Sequence, residues 1–272
     1  MPVLVPTLMG SSFILVGWVV DPLFGLAPTF GILTLMLAAF FANFWRDPDR
    51  PIPKEKGLIV SPADGHVMFV KRERAIGRRP SPEEMDGAQE DEFTGTWHQQ
   101  PCENPLEFST EQRFEAVPEG EEADDDVWRV AVFMSPLDVH VNRSPIAGII
   151  TRMEHRTGKG KRRGPFLPAF RKESEFNERV RTLFAREDGL IVEVMQISGA
   201  LARTIIPWTG EGDQLRRGQR FGMIRLGSRV DVRVPANRFD PCVVSAEAED
   251  QMHPKGEFVQ AGSTIIFREV KA

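Results

Sequence analysis

Apolar positions fall into two regimes along the chain. Residues 3–20 and 26–45 contain no charged side chain and show no polar face, and Asp21-Pro22 separates them. From Gly57 onward apolar residues come in short alternating runs instead. The most regular is 229–234, where Val230, Val232 and Val234 take one face and Arg229, Asp231 and Arg233 the other. Strand side chains point alternately to opposite faces, so a period of two predicts strands. Strands are expected over 57–60, 66–71, 128–134, 180–185, 190–198, 221–226, 229–234 and 264–267, with a hairpin turn at Glu187-Asp188-Gly189. No long amphipathic helix is expected after residue 50, and only 168–178 suits a short one. RDPDRPIP, residues 46–53, reads as a proline-rich linker. The predicted fold class is mainly β: a single sandwich- or barrel-like domain, residues 46–272, behind a hydrophobic helical N-terminal segment, residues 1–45.

That N-terminal segment is expected to be a membrane anchor. A 20-residue helix spans about 30 Å, the hydrocarbon thickness of a bilayer, so residues 26–45 are long enough to cross. No Lys or Arg precedes Arg46, which argues against a cleaved signal peptide. The first positive charges, Arg46, Arg50, Lys54 and Lys56, follow the second apolar stretch and place the remainder on the cytoplasmic face of the cell membrane. Pro6, Gly10, Pro22 and Pro28 equally allow a short hairpin or a pair of interfacial helices. Two buried helices of a soluble core are the plain alternative, disfavoured because neither segment has a polar face.

Charge sharpens this picture. The formal net charge is −5, yet residues 83–126 hold sixteen acids and one base, Arg113, a net of −15, so the rest of the chain carries +10. Such a run is ordinarily a solvated loop; its functional reading is an acidic flap that shields a basic surface. Basic stretches at 71–79 (KRERAIGRR) and 159–164 (KGKRRG) suit nucleic acid or an anionic membrane, and the apolar N-terminus selects the membrane, so no nucleic-acid partner is expected. Cys102 and Cys242 have no Cys or His at metal spacing, so neither a disulfide framework nor a metal site is expected. There is no internal repeat and no Gly-rich phosphate loop.

Three stretches carry candidate chemistry. SPADGHV, residues 61–67, places Asp64 in a turn, where an Asp ordinarily bonds its own backbone. FMSPLDVHVNRSPIAG, residues 133–148, places His140 between Val139 and Val141 in an alternating context; taken alone, a single His is ordinarily structural. RLGSRVDVRV, residues 225–234, interrupts a well-patterned strand at Gly227-Ser228, where a glycine ordinarily marks a bulge or close backbone approach. Together they supply an orienter, a base and a nucleophile.

The chain also resembles a known family. FWRDPDR after the hydrophobic N-terminus, SPADG, SPLDVHVNRSPIAG, NER at 177–179, QISGALAR at 196–203, FGMIRLGSRVDV and VQAGSTI appear in order over nearly the whole length. These seven motifs resemble the short form of the phosphatidylserine decarboxylases.

The resemblance implies a proenzyme that cuts itself at Gly227-Ser228 into residues 1–227 (β chain) and 228–272 (α chain), which stay together as a heterodimer. Ser228 Oγ would attack the Gly227 carbonyl in an N-to-O acyl shift. Elimination across Cα and Cβ would then release Gly227 and leave dehydroalanine, which hydrolyses to a pyruvoyl group, a cofactor made from the chain itself. Its ketone would form a Schiff base with the amine of membrane phosphatidylserine and accept the electrons left as carbon dioxide departs, giving phosphatidylethanolamine. His140, oriented by Asp64, is the implied base for the hydroxyl and Cα protons and the implied proton donor.

Two departures stand out. The acidic segment 83–126 looks like an insertion. Arg143 occupies the place where the longer bacterial form has a second His, three residues beyond the position of His140. A second Gly-Ser, Gly262-Ser263, reads as the family's closing turn, and a cut there would leave a fragment of only ten residues. Competing readings are a membrane-anchored serine hydrolase, for which no G-x-S-x-G elbow is present, and a non-catalytic β-domain that binds anionic lipid. A further variant keeps the chemistry on a serine-bearing ether lipid.

Overall fold

The computed structural model describes residues 4–20, 26–75, 114–156, 177–199, 204–225, 228–245 and 256–270. In chain order its elements are helices α1 (Leu4–Val20) and α2 (Leu26–Phe44), then strands β1 (Leu58–Val60), β2 (Gly65–Ala75), β3 (Phe114–Ala116), β4 (Val127–Met134), β5 (Val141–Arg143), β6 (Gly148–Arg156), β7 (Arg179–Ala185), β8 (Ile191–Ile197), β9 (Ile205–Pro207), β10 (Gln214–Leu215), β11 (Arg220–Ile224), β12 (Ser228–Pro235), β13 (Phe239–Pro241), β14 (Phe258–Val259) and β15 (Ile265–Glu269). Two compact units result, residues 1–48 with 136–139, and residues 49–135 with 140–272.

The larger unit is built from antiparallel strands. A nine-stranded sheet runs in the order β10-β6-β7-β8-β12-β4-β2-β14, with β3 also paired to β2; β1-β15-β13 and β5-β11-β9 form two three-stranded sheets. One face of the large sheet is apolar, with Val67, Val130, Val132, Val180, Val194, Val230 and Val232 all fully buried or nearly so. The same core takes in Ile59, Phe239 and Phe267 of one small sheet and Ile205, Phe221 and Ile224 of the other. Each such side chain removed from water contributes about 1.5–3 kcal/mol. The mainly β expectation is met in this layered form, and every strand expected from the sequence is present within a few residues. The turn at 187–189 joins β7 to β8, with Gly189 at φ 82°. Of the expected short helix at 168–178, only Asn177 and Glu178 are described, and they form a bend.

The opposite face of the large sheet is charged and nevertheless buried. Asp231 accepts from both Arg129 and Arg229, Glu73 from Arg129 and Arg233, and Glu193 from Arg233 and Arg181. Each carboxylate is thus shared by two guanidinium groups, and the alternation Arg229-Asp231-Arg233 becomes one segment of a chain of pairs across β2, β4, β12, β8 and β7. Burial pushes the Asp231 and Glu193 carboxyls up, but the adjacent arginines outweigh it and hold both below the usual carboxylate range. A depressed folded-state pKa contributes stability above the ordinary carboxylate value and loses it as pH falls through the folded value. Unfolding free energy measured by denaturant should therefore hold from neutral pH down to about 4 and fall below it. Asp231→Asn, which strands two buried arginines, should cost about 3–5 kcal/mol at pH 7 and flatten that acid slope. An unchanged slope would remove the network as its source.

The smaller unit is a helical pair. Gly10 and Gly31 let α1 and α2 approach closely: a Cβ on Gly31 would lie 2.4 Å from Ile14 Cγ1. Within this unit Asn43 Nδ2 donates to Leu137 O at 3.1 Å. No helix among the described residues is long and apolar enough to cross a membrane. α2 has 19 residues and α1 has 17, about 28 Å and 26 Å long at the helical rise.

The acidic segment also differs from expectation where it is described. Residues 83–113 lie outside the described residues, but 114–126 are part of the fold. Phe114–Ala116 pairs with β2. Asp126 is buried and accepts from Arg72 Nε at 2.9 Å, Arg74 Nε at 2.7 Å and the Ala123 amide at 2.9 Å. Hydrogen bonding from Arg74 holds its carboxyl below the usual range against the opposing effect of burial. Part of the basic stretch 71–79 is thus neutralised within the chain by acids of this segment.

Candidate active site

Ser228 stands where the chain changes sheets. β11 ends at Ile224 in a three-stranded sheet, the Arg225 amide donates to Thr204 O at 3.0 Å, and β12 begins at Ser228 in the nine-stranded sheet. The strand break seen in the sequence falls between β11 of one sheet and β12 of another; Leu226 and Gly227, the glycine of the expected cut, lie outside the described residues. Ser228 opens β12 opposite Met134, the last residue of β4. It is fully buried, and its Oγ donates to Met134 Sδ at 3.4 Å.

Asp64 precedes β2 at the same end of the sheet. The turn must be tight, because Gly65 has φ 149° and a Cβ there would meet Phe133 O at 2.0 Å. Ser61 Oγ donates to Ala63 O at 2.6 Å within this turn. Asp64 Oδ1 accepts from the Ala261 amide at 2.7 Å and its Oδ2 from Arg50 Nη2 at 2.6 Å.

His140 is fully buried and lies just before β5, not within a strand as expected. Its carbonyl accepts from the Ile224 amide at 3.2 Å, which ties it to the end of β11, four residues before Ser228. The next residues hold the Asp64 turn: Arg143 N donates to Pro62 O at 2.9 Å, and Asn142 Nδ2 to the same oxygen at 3.4 Å. Ser228 and Asp64 thus lie at the same end of the large sheet, and His140 is tied through its carbonyl to the end of the strand that leads toward Ser228.

Several polar residues there were not anticipated. Pro62 O can only accept, so the Asn142 amide nitrogen faces it and Asn142 Oδ1 faces Gln196, which donates Nε2 at 2.7 Å. This orientation leaves Gln196 Oε1 as an acceptor. Gln196 Oε1 and Ser198 Oγ are buried without a hydrogen-bond partner among the described residues. Gln196 pairs with Val230, and Ser198 follows Ile197, which pairs with Arg229, so both sit beside the start of β12. The NER stretch secures this strand end, Asn177 Nδ2 donating to Ser198 O at 2.8 Å. Arg143 is buried and donates to Gly218 O at 3.1 Å. Gly262, at φ 77°, forms a turn with its amide on Ser61 O at 2.7 Å, as expected for a closing turn. Among the described residues no group of His, Cys, Asp or Glu could hold a metal ion.

The phosphatidylserine decarboxylase family model matches residues 37–267. The chain is 36% identical over 239 residues to the phosphatidylserine decarboxylase proenzyme of Symbiobacterium thermophilum, covering 88% of this chain and 83% of that one. It is 38% identical over 236 residues to the proenzyme of Streptomyces griseus, covering 87% and 77%, and 36% identical over 233 residues to that of Erythrobacter litoralis, covering 85% and 74%.

Proposed function

The chain belongs to the phosphatidylserine decarboxylase family, and on that premise we propose that it cuts its own Gly227-Ser228 bond and then decarboxylates phosphatidylserine at residue 228. The observation that carries this reading is the position of Ser228: a buried hydroxyl at the first residue of a central strand, where the chain has passed from one sheet to another, at the sheet end where the Asp64 turn also lies. A serine hydrolase of the G-x-S-x-G type would present its nucleophile at a strand-to-helix turn, whereas Ser228 begins a strand.

In this reading His140 takes the Ser228 hydroxyl proton, and Oγ adds to the Gly227 carbonyl carbon. The C–N bond breaks as the amine gains a proton, leaving an ester. Removal of the Cα proton expels the Gly227 carboxylate, and hydrolysis of the resulting enamine releases ammonia and leaves a pyruvoyl group at residue 228. That group supplies an electron sink for the carboxylate carbon–carbon bond to break. The site suits it: Ser228 has Met134 and the apolar face of the sheet around it, and Gln196 Oε1 and Ser198 Oγ are acceptors for the ammonium of the substrate headgroup. Asp64 orients His140, which returns a proton to the product. The fragments 1–227 and 228–272 remain joined as a heterodimer, since β12 is laddered to β4 and β8 over its length.

We place the enzyme at the cytoplasmic face of the cell membrane, held by α1 and α2 as an interfacial pair. Leu8, Leu15, Phe30, Leu33 and Met36 are all exposed on these helices, and large apolar side chains exposed in number are what a membrane contact would cover. Purified full-length protein should float with phosphatidylserine vesicles and release carbon dioxide from them. Protein lacking residues 1–45 should lose flotation yet still act on detergent-dispersed substrate. Failure of the full-length chain to release carbon dioxide would sink the activity, and undiminished flotation without residues 1–45 would sink the anchor.

A further inference from the structure

The segment that joins the helical unit to the β unit has the composition of a linker but the contacts of a strap. Asp49 Oδ1 approaches Arg220 Nη2 at 3.7 Å. Ile52 packs where Gly218 and Gly262 carry no side chain; a Cβ would lie 2.4 Å from Ile52 Cδ1 at Gly218 and 3.0 Å at Gly262. Arg217 Nη1 donates to both Pro53 O and Glu55 O at 2.8 Å. Residues 49–55 are thus fastened along the β unit at several points by the β10–β11 turn, the first residue of β11 and the turn at Gly262.

What the strap delivers is Arg50. Its guanidinium donates to Asp64 Oδ2 at 2.6 Å, with the two side chains 10% and 4% exposed. The Ala261 amide holds the other oxygen, and Ala261 belongs to the turn whose Gly262 receives Ile52. Strap, closing turn and Asp64 therefore form one unit in which both carboxylate oxygens have fixed directions. A carboxylate that must orient a histidine needs this constraint, because one free to rotate would hold its partner in several orientations.

We propose that Arg50 is a positioning residue for self-cleavage, acting through Asp64, so that the strap leading from the helical unit completes the catalytic end of the β unit. The proposal rests on the reading of Asp64 as the orienter of His140. It gives residues 49–55 a role beyond tethering: a chain that begins after Arg50 would lack part of its maturation machinery even with every strand in place.

The test follows self-cleavage of newly synthesised full-length protein for Arg50→Ala, Arg50→Lys, Asp64→Ala and the Arg50→Ala/Asp64→Ala pair. Arg50→Ala should slow cleavage on the order of a hundredfold, the scale at which a small misplacement acts on a rate. Arg50→Lys should recover part of it, and millimolar guanidinium chloride should restore Arg50→Ala but not Asp64→Ala. The double variant should be no slower than Asp64→Ala, since both changes act through one carboxylate. Normal cleavage by Arg50→Ala beside a defective Asp64→Ala would overturn the proposal and leave the maturation reading intact. Normal cleavage by Asp64→Ala would overturn that reading and this proposal with it. A slow Arg50→Ala that neither Lys nor guanidinium restores, with a double variant slower than Asp64→Ala, would show that Arg50 serves the fold and not the carboxylate.

Discussion

Ser228→Ala should yield one uncut chain with no carbonyl group at residue 228 and no release of carbon dioxide, whereas the unsubstituted protein should separate under denaturing conditions into 1–227 and a smaller fragment starting at 228. The smaller fragment should resist N-terminal sequencing, because a pyruvoyl group has no amine. The contrast is expected to be complete, since the substitution deletes both the nucleophile and the oxygen that leaves with Gly227. The fold should survive: Ser228 is buried against Met134, and the hydrogen bond lost is a single Oγ to sulfur contact, worth about 1 kcal/mol or less. Ser228→Cys keeps a nucleophile and should cut slowly. Ser263→Ala should change neither cleavage nor turnover. Its Oγ is buried without a hydrogen-bond partner among the described residues, so removing it abandons none of the bonds seen there. Intact mass decides between the two Gly-Ser steps, because a cut at Gly262-Ser263 would release only residues 263–272. A single uncut chain in the unsubstituted protein would sink the cofactor and the mechanism together.

The strands that the sequence announced are those whose alternation is uninterrupted. β12 is the clearest, its Val face in the core and its Arg-Asp-Arg face in the buried ion-pair chain. β6 was not anticipated, although it has nine residues, and the reason is local. A register shift between Ile150 and Arg152 puts Ile150 and Met153 in the core three positions apart, which breaks the period of two. β9, β10, β13 and β14 are two or three residues long and pair at sheet margins, too short for any periodicity to register.

The same contrast holds at the site. Ser228, His140 and Asp64 each stand in a motif that could be read locally, and the β8 stretch held a signal that went unused: Val192, Val194 and Gln196 share a face, so Gln196 is a polar side chain where the pattern calls for an apolar one. The Asn142–Gln196 bond and the Arg50–Asp64 pair were not legible. Each joins residues that meet only when two sheets, or a strap and a turn, come together. Arg50 in particular sits among prolines and charges whose composition reads as solvent-exposed linker.

His140→Ala should separate maturation from turnover, and comparison with Asp64 shows why it is the cleaner variant. If His140 takes the Ser228 proton, its loss should slow self-cleavage by about 10² to 10⁴, the usual contribution of general-base assistance, and leave mostly proenzyme. Asp64→Ala should slow cleavage as well, but it also leaves Arg50 without its partner and the Ala261 amide without an acceptor. Removing one member of a buried pair costs about 3–5 kcal/mol, so slow cleavage there mixes chemistry with stability. Asp64→Asn keeps an acceptor for Ala261 while removing the charge, and should mature faster than Asp64→Ala but more slowly than the unsubstituted chain. Fragment appearance on gels and carbon dioxide release, measured on the same samples, then assign the roles. If His140→Ala cuts itself at the normal rate yet releases no carbon dioxide, His140 donates the proton in turnover and another group is the base for maturation. Normal cleavage with normal release would remove His140 from the mechanism, and its burial beside the end of β11 would then be structural.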